Sequence, residues 1–141
     1  MYRFHKPDIE LTLETKIFIK SALSDFKHVV ILTDGYSISQ RLKVESLDLI
    51  KIPLFISEEW NSKKPDNARF INIMEKYNTC DHFWYVADNP SKDFIAPNAL
   101  EWTSFCLKAN DKNIHSQNID KINIKYLPDF FIQSLGDIYT Y

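Results

Sequence analysis

Short apolar runs rich in β-branched and aromatic residues alternate along this chain with stretches of helical periodicity. Such alternation is typical of α/β proteins built on a mainly parallel sheet. We therefore predict a three-layer, Rossmann-like core. The predicted strands cover residues 28–33, 52–57, 83–87 and 103–107.

The stretches between these strands carry helix signals. Thr12 is a plausible cap for a helix with Phe18, Ala22 and Leu23 on one face. Ser37 and Gln40 form a capping-box pattern that predicts a helix to about residue 47. The remaining predicted elements are a helix from 65 to 77 with its proline in the first turn, a short helix at 93–100, an edge strand at 122–124 and a closing helix at 130–139.

Composition narrows the class of protein. The 141 residues fit one domain, and 45% hydrophobic against 26% charged residues predicts a packed core. A net charge of -2 argues against a nucleic-acid partner, and no apolar run reaches the roughly 20 residues of a membrane span. Two cysteines without a paired spacing favour a cytoplasmic protein. Only two glycines exclude a glycine-rich phosphate loop.

Polar side chains follow three of the predicted strands, where parallel sheets bind ligands. They are Thr33, Asp34 and Gly35 after the first strand, Lys63 and Lys64 after the second, and Asp88, Asn89 and Asp93 after the third. A hydroxyl and a lysine suit a phosphate group, and carboxylates suit Mg2+. Taken singly, each has a plainer explanation as a turn, a solvated lysine or a helix cap.

The order and spacing of these residues resemble the haloacid dehalogenase (HAD) superfamily. Residues 32–35 resemble its second motif, which implies that Thr33 hydrogen-bonds a phosphoryl group, with Asp34 and Gly35 beside the substrate. Lys64 matches the lysine of the third motif, with Lys63 as the alternative register. Residues 85–94 resemble the fourth motif, although Ala87 stands where glycine is usual. That motif implies Asp88 as a magnesium ligand, Asp93 as support for the metal site and Asn89 near the substrate.

The first motif of the family, whose leading aspartate is the nucleophile, has only one near match. This is Asp8-Ile9-Glu10-Leu11-Thr12. The stretch before it is no buried strand, because Pro7 could not join a central ladder. We therefore expect residues 1–141 to be a single partial core that begins after the first strand and the cap.

The resemblance has a structural consequence, because the nucleophile strand of this family lies between the strands that carry the second and fourth motifs. Without it, unpaired backbone groups would face each other. We expect either direct pairing of those two strands or completion of the sheet by another segment or chain. The second solution implies a homo-oligomer or an N-terminal segment as partner.

Two functions remain open at this stage. The resemblance implies the C-terminal part of a magnesium-dependent phosphatase that acts on a small phosphorylated metabolite through an aspartyl-phosphate. On that view this chain alone is inactive. The alternative is a non-catalytic module for binding or interaction. A phosphoacceptor receiver domain is disfavoured, because its acidic residues would precede the hydroxyl and its lysine would come last.

Overall fold

A computed structural model describes residues 9–108 and 124–141, and these residues have an α/β architecture. The helices are α1 (Leu13–Asp25), α2 (Ser37–Ser46), α3 (Ser57–Trp60), α4 (Ala68–Lys76) and α5 (Ile95–Ala99), with 3-10 helices at Ile124–Tyr126 and Leu135–Thr140. The strands are β1 (Ile31–Thr33), β2 (Leu54–Ile56), β3 (Trp84–Ala87), β4 (Thr103–Leu107) and β5 (Phe130–Ile132). No helix within these ranges combines the length and apolar character needed to cross a membrane.

The chain divides into two compact units, Met1–Lys63 and Lys64–Tyr141. In the first, β1 and β2 run parallel, with Ile31 opposite Leu54 and Thr33 opposite Ile56. Thr12 caps α1 as predicted, since its hydroxyl oxygen accepts a hydrogen bond from the backbone N–H of Thr15 at 3.2 Å. Burial of β-branched and aromatic side chains on β2 then fixes the carboxyl ends of both strands side by side.

The second unit is built on the parallel sheet β3-β4-β5, with β4 in the centre. Its core is largely aromatic. Phe70 of α4 makes edge-on contacts with Tyr85 at 5.2 Å and with Trp102 at 5.3 Å between ring centroids. Phe70, Phe94 and Phe105 are fully buried, so the core holds α4 and the loop after β3 against the sheet.

The predicted strands of the first four runs are confirmed, although the first two are shorter than expected. The helix predicted from residue 65 begins only at Ala68, so Pro65 precedes it. The closing helix predicted at 130–139 is wrong, because Phe130–Ile132 is strand β5 and only 135–140 is a 3-10 helix. Of the predicted edge strand at 122–124, residues 122 and 123 lie outside the described part, and Ile124 begins a 3-10 helix.

For the strands that carry the second and fourth motifs, direct pairing and completion of the sheet by another segment or chain were the two alternatives expected. Among the described strands, β1 is hydrogen-bonded to β2, and β3 to β4. All described strand pairs are parallel, as the fold prediction required. Completion of the sheet by another segment or chain stays a prediction, as does the single-domain boundary of 1–141.

Candidate functional site

The turn after β1 is held to the end of β2 by one serine. Thr33 is the last residue of β1, and its partner Ile56 is followed directly by Ser57. The Ser57 hydroxyl accepts a hydrogen bond from the backbone N–H of Gly35 at 2.8 Å and lies 3.3 Å from the Gly35 carbonyl, to which it donates. Because φ of Gly35 is 142°, a conformation that other residues rarely adopt, the turn depends on glycine here.

Gln40 of α2 reaches back over this turn. The Thr33 hydroxyl donates to Oε1 of Gln40 at 3.1 Å. The Gln40 side chain also fills the space beside Gly35, where an added Cβ would lie 2.5 Å from Nε2. Asp34, which stands between Thr33 and Gly35 in the sequence, is half-buried. The structure thus brings the three predicted residues of the second motif into one fixed turn.

The start of α2 is held by acidic residues of α3 rather than by a capping box. The backbone N–H of Ser37 donates to Glu58 Oε1 at 2.9 Å, and the Ser37 hydroxyl donates to Glu59. Arg41 binds Glu59 with both Nε, at 2.8 Å, and Nη2, at 2.6 Å. These hydrogen bonds, from Arg41 first and Ser37 second, lower the pKa of Glu59. The predicted Ser37–Gln40 capping box is therefore wrong, because both side chains are used elsewhere.

In the second unit, Lys64 and Asp93 form a buried ion pair. Nζ of Lys64 lies 2.8 Å from Oδ1 of Asp93, and the two side chains are 11% and 3% exposed. Oδ1 is buried without a hydrogen bond of good geometry in the described part of the chain, so the Lys64 charge compensates it. The phenol of Tyr85 lies 3.4 Å from Nζ and accepts from it. Two residues predicted from separate motifs are thus in direct contact.

The loop between β3 and α5 is closed by its own side chains. Oδ2 of Asp93 accepts a hydrogen bond from the backbone N–H of Asn89 at 2.8 Å, and the Asn89 carbonyl accepts from the N–H of Asp93 at 2.9 Å. Oδ1 of Asn89 accepts from both the N–H and the hydroxyl of Ser91. Asp93 does not cap α5, whose N-cap residue is Phe94. The amide oxygen of Asn89, predicted to face a substrate, is engaged within the loop.

Asp88 follows β3 directly and is half-buried. Its charge acts on Cys106 of β4, whose thiol pKa is raised to about 12 by burial first and then by Asp88 and Asp93. Within 9–108 and 124–141, no group of three or more histidine, cysteine or acidic residues could hold a metal ion. Both oxygens of Asp93 are already engaged. The described residues therefore do not fit a complete magnesium site, and the metal roles of Asp88 and Asp93 stay predictions.

The choice between the two lysine registers gains a structural argument. Lys63 is exposed, whereas Lys64 is nearly buried against Asp93. Sequence reasoning overlooked Gln40 and Ser57 as partners of the Thr33–Gly35 turn. Only their positions, in the first turn of a helix and at the end of the neighbouring strand, pointed to them. Asp8, the near match to a nucleophile, lies outside the described residues.

Comparison with solved structures identifies the fold. The chain superposes on YfnB from Bacillus subtilis, a protein assigned to the HAD-hydrolases and crystallised with magnesium, with a TM-score of 0.73 and 18% sequence identity. The match covers 92% of this chain and 55% of that chain. No protein-family model matches the sequence, and no curated protein matches it either. The chain thus has the fold of the C-terminal part of a HAD-like core, as its motifs predicted, and it spans about half the length of YfnB.

Proposed function

We propose that this chain is the C-terminal portion of a HAD-like phosphohydrolase core that acts on a small phosphomonoester through an aspartyl-phosphate. The attacking aspartate would not be among residues 1–141. The proposal is supported by the HAD-like fold and by the coverage of about half of the similar structure. The three strand-end motifs, in the order hydroxyl, lysine, acid, support it further.

The contact between Lys64 and Asp93 carries the proposal. A lysine that served only solubility would be exposed, as Lys63 is, because burying an ammonium group is costly without a partner. Nζ of Lys64 instead lies 2.8 Å from a carboxylate oxygen of Asp93, which belongs to the loop after β3 and stands 29 positions further along the sequence. A nearly buried ammonium group acts on a phosphate oxygen with little screening by water. Separately, the resemblance implies that the Thr33 hydroxyl donates a hydrogen bond to a phosphoryl group.

Magnesium belongs to this proposal through the resemblance and through the magnesium-bound YfnB structure. Asp88 is the carboxylate that the chain would offer to the cation. Oxygen ligands from outside the described residues would have to complete the shell. Cys80 and Cys106 are not joined in a disulfide, and together with the net charge of -2 this is compatible with a cytoplasmic protein that does not bind nucleic acid.

Phosphate binding by the chain tests the proposal. Inorganic phosphate is titrated into the isotope-labelled chain while backbone amide shifts are followed. We expect saturable shifts that are lost in the double variant Lys64→Met/Asp93→Asn, which removes both charges and so leaves no buried charge unpaired. The control variant Lys63→Met should keep the saturable shifts. Saturable binding that survives the double variant would refute the role of Lys64.

Turnover tests the place of the nucleophile. The chain is assayed for magnesium-dependent hydrolysis of an aryl phosphate, beside Asp8→Asn and Asp88→Asn. We expect no turnover above buffer from any of the three. Hydrolysis by the wild-type chain that both substitutions abolish would make Asp8 the nucleophile and overturn the fragment proposal.

One observation favours a second function, a non-catalytic binding module. Both oxygens of Asp93 are engaged, and no three-donor metal cluster occurs in the described residues. The two functions differ in what lies upstream. An Asp-x-Asp-x-Thr sequence in the reading frame before Met1, which confers phosphatase activity when joined to this chain, supports the enzyme. Its absence, with phosphate binding retained, supports the module.

A further inference from the structure

The Thr33 hydroxyl has a fixed partner before any ligand arrives. It donates its hydrogen to Oε1 of Gln40 at 3.1 Å. A hydroxyl group carries one hydrogen and accepts through two lone pairs, whereas the glutamine amide carries both an acceptor and two donors. Thr33 can therefore give its hydrogen to a phosphate oxygen only if Gln40 releases it.

The surroundings leave Gln40 as the adjustable member of this turn. Gly35 is held by Ser57 on both its N–H and its carbonyl, so the backbone is fixed. The amide nitrogen of Gln40 lies against the open side of Gly35, where the glycine leaves room for it. The Gln40 backbone is anchored in α2, since its N–H donates to the Tyr36 carbonyl at 2.9 Å. Rotation about the last side-chain bond of Gln40 exchanges the acceptor for the donor without moving the backbone.

We propose that Gln40 is a positioning residue for the Thr33 hydroxyl and that the side-chain amide of Gln40 flips when a phosphate group binds. Before binding, Oε1 accepts the Thr33 hydrogen and fixes the threonine rotamer. With phosphate bound, Nε2 donates to Thr33 Oγ1, and the Thr33 hydrogen points to a phosphate oxygen. The hydrogen bond between Thr33 and Gln40 is thus kept with its direction reversed, and the Thr33 hydrogen becomes available to the phosphate. This inference rests on the proposed phosphate-binding function of Thr33.

The first experiment measures positioning without any ligand. Three-bond couplings to the γ-methyl carbon of Thr33 report its χ1 rotamer in the labelled chain. We expect one rotamer in the wild-type chain and in Gln40→Glu, which still accepts the hydrogen. Gln40→Ala should show averaging between rotamers. The control Gln133→Ala removes an exposed glutamine of the second unit and should change nothing. A single unchanged rotamer in Gln40→Ala would overturn the positioning role.

The second experiment measures the exchange of donors with inorganic phosphate as the probe. Gln40→Glu keeps the acceptor but has no donor to return, and it adds a negative charge. We expect its phosphate affinity to fall about tenfold or more, against about fivefold for Gln40→Ala and none for Gln133→Ala. The side-chain amide signal of Gln40 should shift on saturation in the wild-type chain and stay in place in Thr33→Val.

The outcomes separate the two proposals. Phosphate binding that is lost in Thr33→Val but unchanged in Gln40→Glu would sustain the function and overturn the exchange at Gln40. A wild-type chain that binds no phosphate, with the rotamer result as expected, would overturn the function together with the exchange, while the ligand-free positioning of Thr33 by Gln40 would stand.

Discussion

At the scale of single residues, we expect the Lys64–Asp93 pair to be sensitive to substitution. Its two charges are nearly excluded from water, so each needs the other. Asp93 additionally accepts the backbone N–H of Asn89. Removing one partner of such a pair leaves an uncompensated buried charge, which costs about 3–5 kcal/mol.

The neighbouring lysines offer a matched test. We expect Lys64→Ala to lower the free energy of unfolding by about 3 kcal/mol or more, because Asp93 stays buried and unpaired. Lys63→Ala should change it by less than about 0.5 kcal/mol, since an exposed lysine contributes little. Urea unfolding followed by tryptophan fluorescence measures both. Equal effects of the two substitutions would contradict the buried pair.

The thiol of Cys106 makes the stability of the folded chain depend on pH in the alkaline range. Its thiol pKa is raised from 9.0 to about 12 in the folded chain. Between these values the unfolded chain loses the thiol proton while the folded chain keeps it, so stability falls as pH rises. We expect the urea midpoint of the wild-type chain to drop between about pH 9 and about pH 12 more steeply than that of Cys106→Ala. A Cys106→Ala slope that matched the wild-type slope would count against this assignment.

At the scale of elements, the secondary structure was predicted best where the local sequence alone determines it. Residues 84–87 and 105–107 are apolar and each run is followed by a polar residue, so the carboxyl ends of these strands were predictable. The structure of the C-terminal tail was not predictable in this way, because β5 depends on contacts with residues distant from it in the sequence. Asp129 accepts the N–H of Ser104 at 2.9 Å, and Phe130 stacks on Phe105. The capping box failed for the same reason, since tertiary partners took both of its side chains.

The link between β4 and β5 can be tested at Asp129. We expect Asp129→Ala to destabilise the chain by about 1–3 kcal/mol, because it leaves the N–H of the buried Ser104 without its acceptor. Asp129→Asn keeps an oxygen acceptor in place and should cost less than half as much. Thermal unfolding by circular dichroism ranks the two. An alanine variant as stable as the wild-type chain would show that Asp129 does not anchor β5.

At the scale of the whole molecule, the two units differ in how their sheets are paired. The first has a two-stranded sheet, and the second has three strands with β4 bonded on both sides in the described part of the chain. Isolated two-stranded sheets are marginal, whereas three strands with an aromatic core are not. The parallel α/β fold could be predicted from the sequence, whereas the roles of the site residues stay predictions. The division at Lys63 could not, because no glycine- or proline-rich linker marks it.

Hydrogen exchange should reveal this difference in the intact chain. We expect the amides of Ser104, Phe105 and Cys106 to exchange most slowly, since they are buried and lie in the central strand. The amides of β1 and β2 should exchange faster. Mass spectrometry of peptic fragments measures both within one sample. Slower exchange in β1 than in β4 would contradict the order of stability.

The ion pair of Lys64 with Asp93 also has a consequence for the folding of the newly synthesised chain. A buried carboxylate without a partner of opposite charge destabilises the folded state. Here the lysine is an internal counter-ion, built into the same polypeptide as the acid it neutralises. Folding of the chain therefore needs no metal ion to neutralise Asp93. Purification in the presence of a chelator should leave the yield of folded protein unchanged.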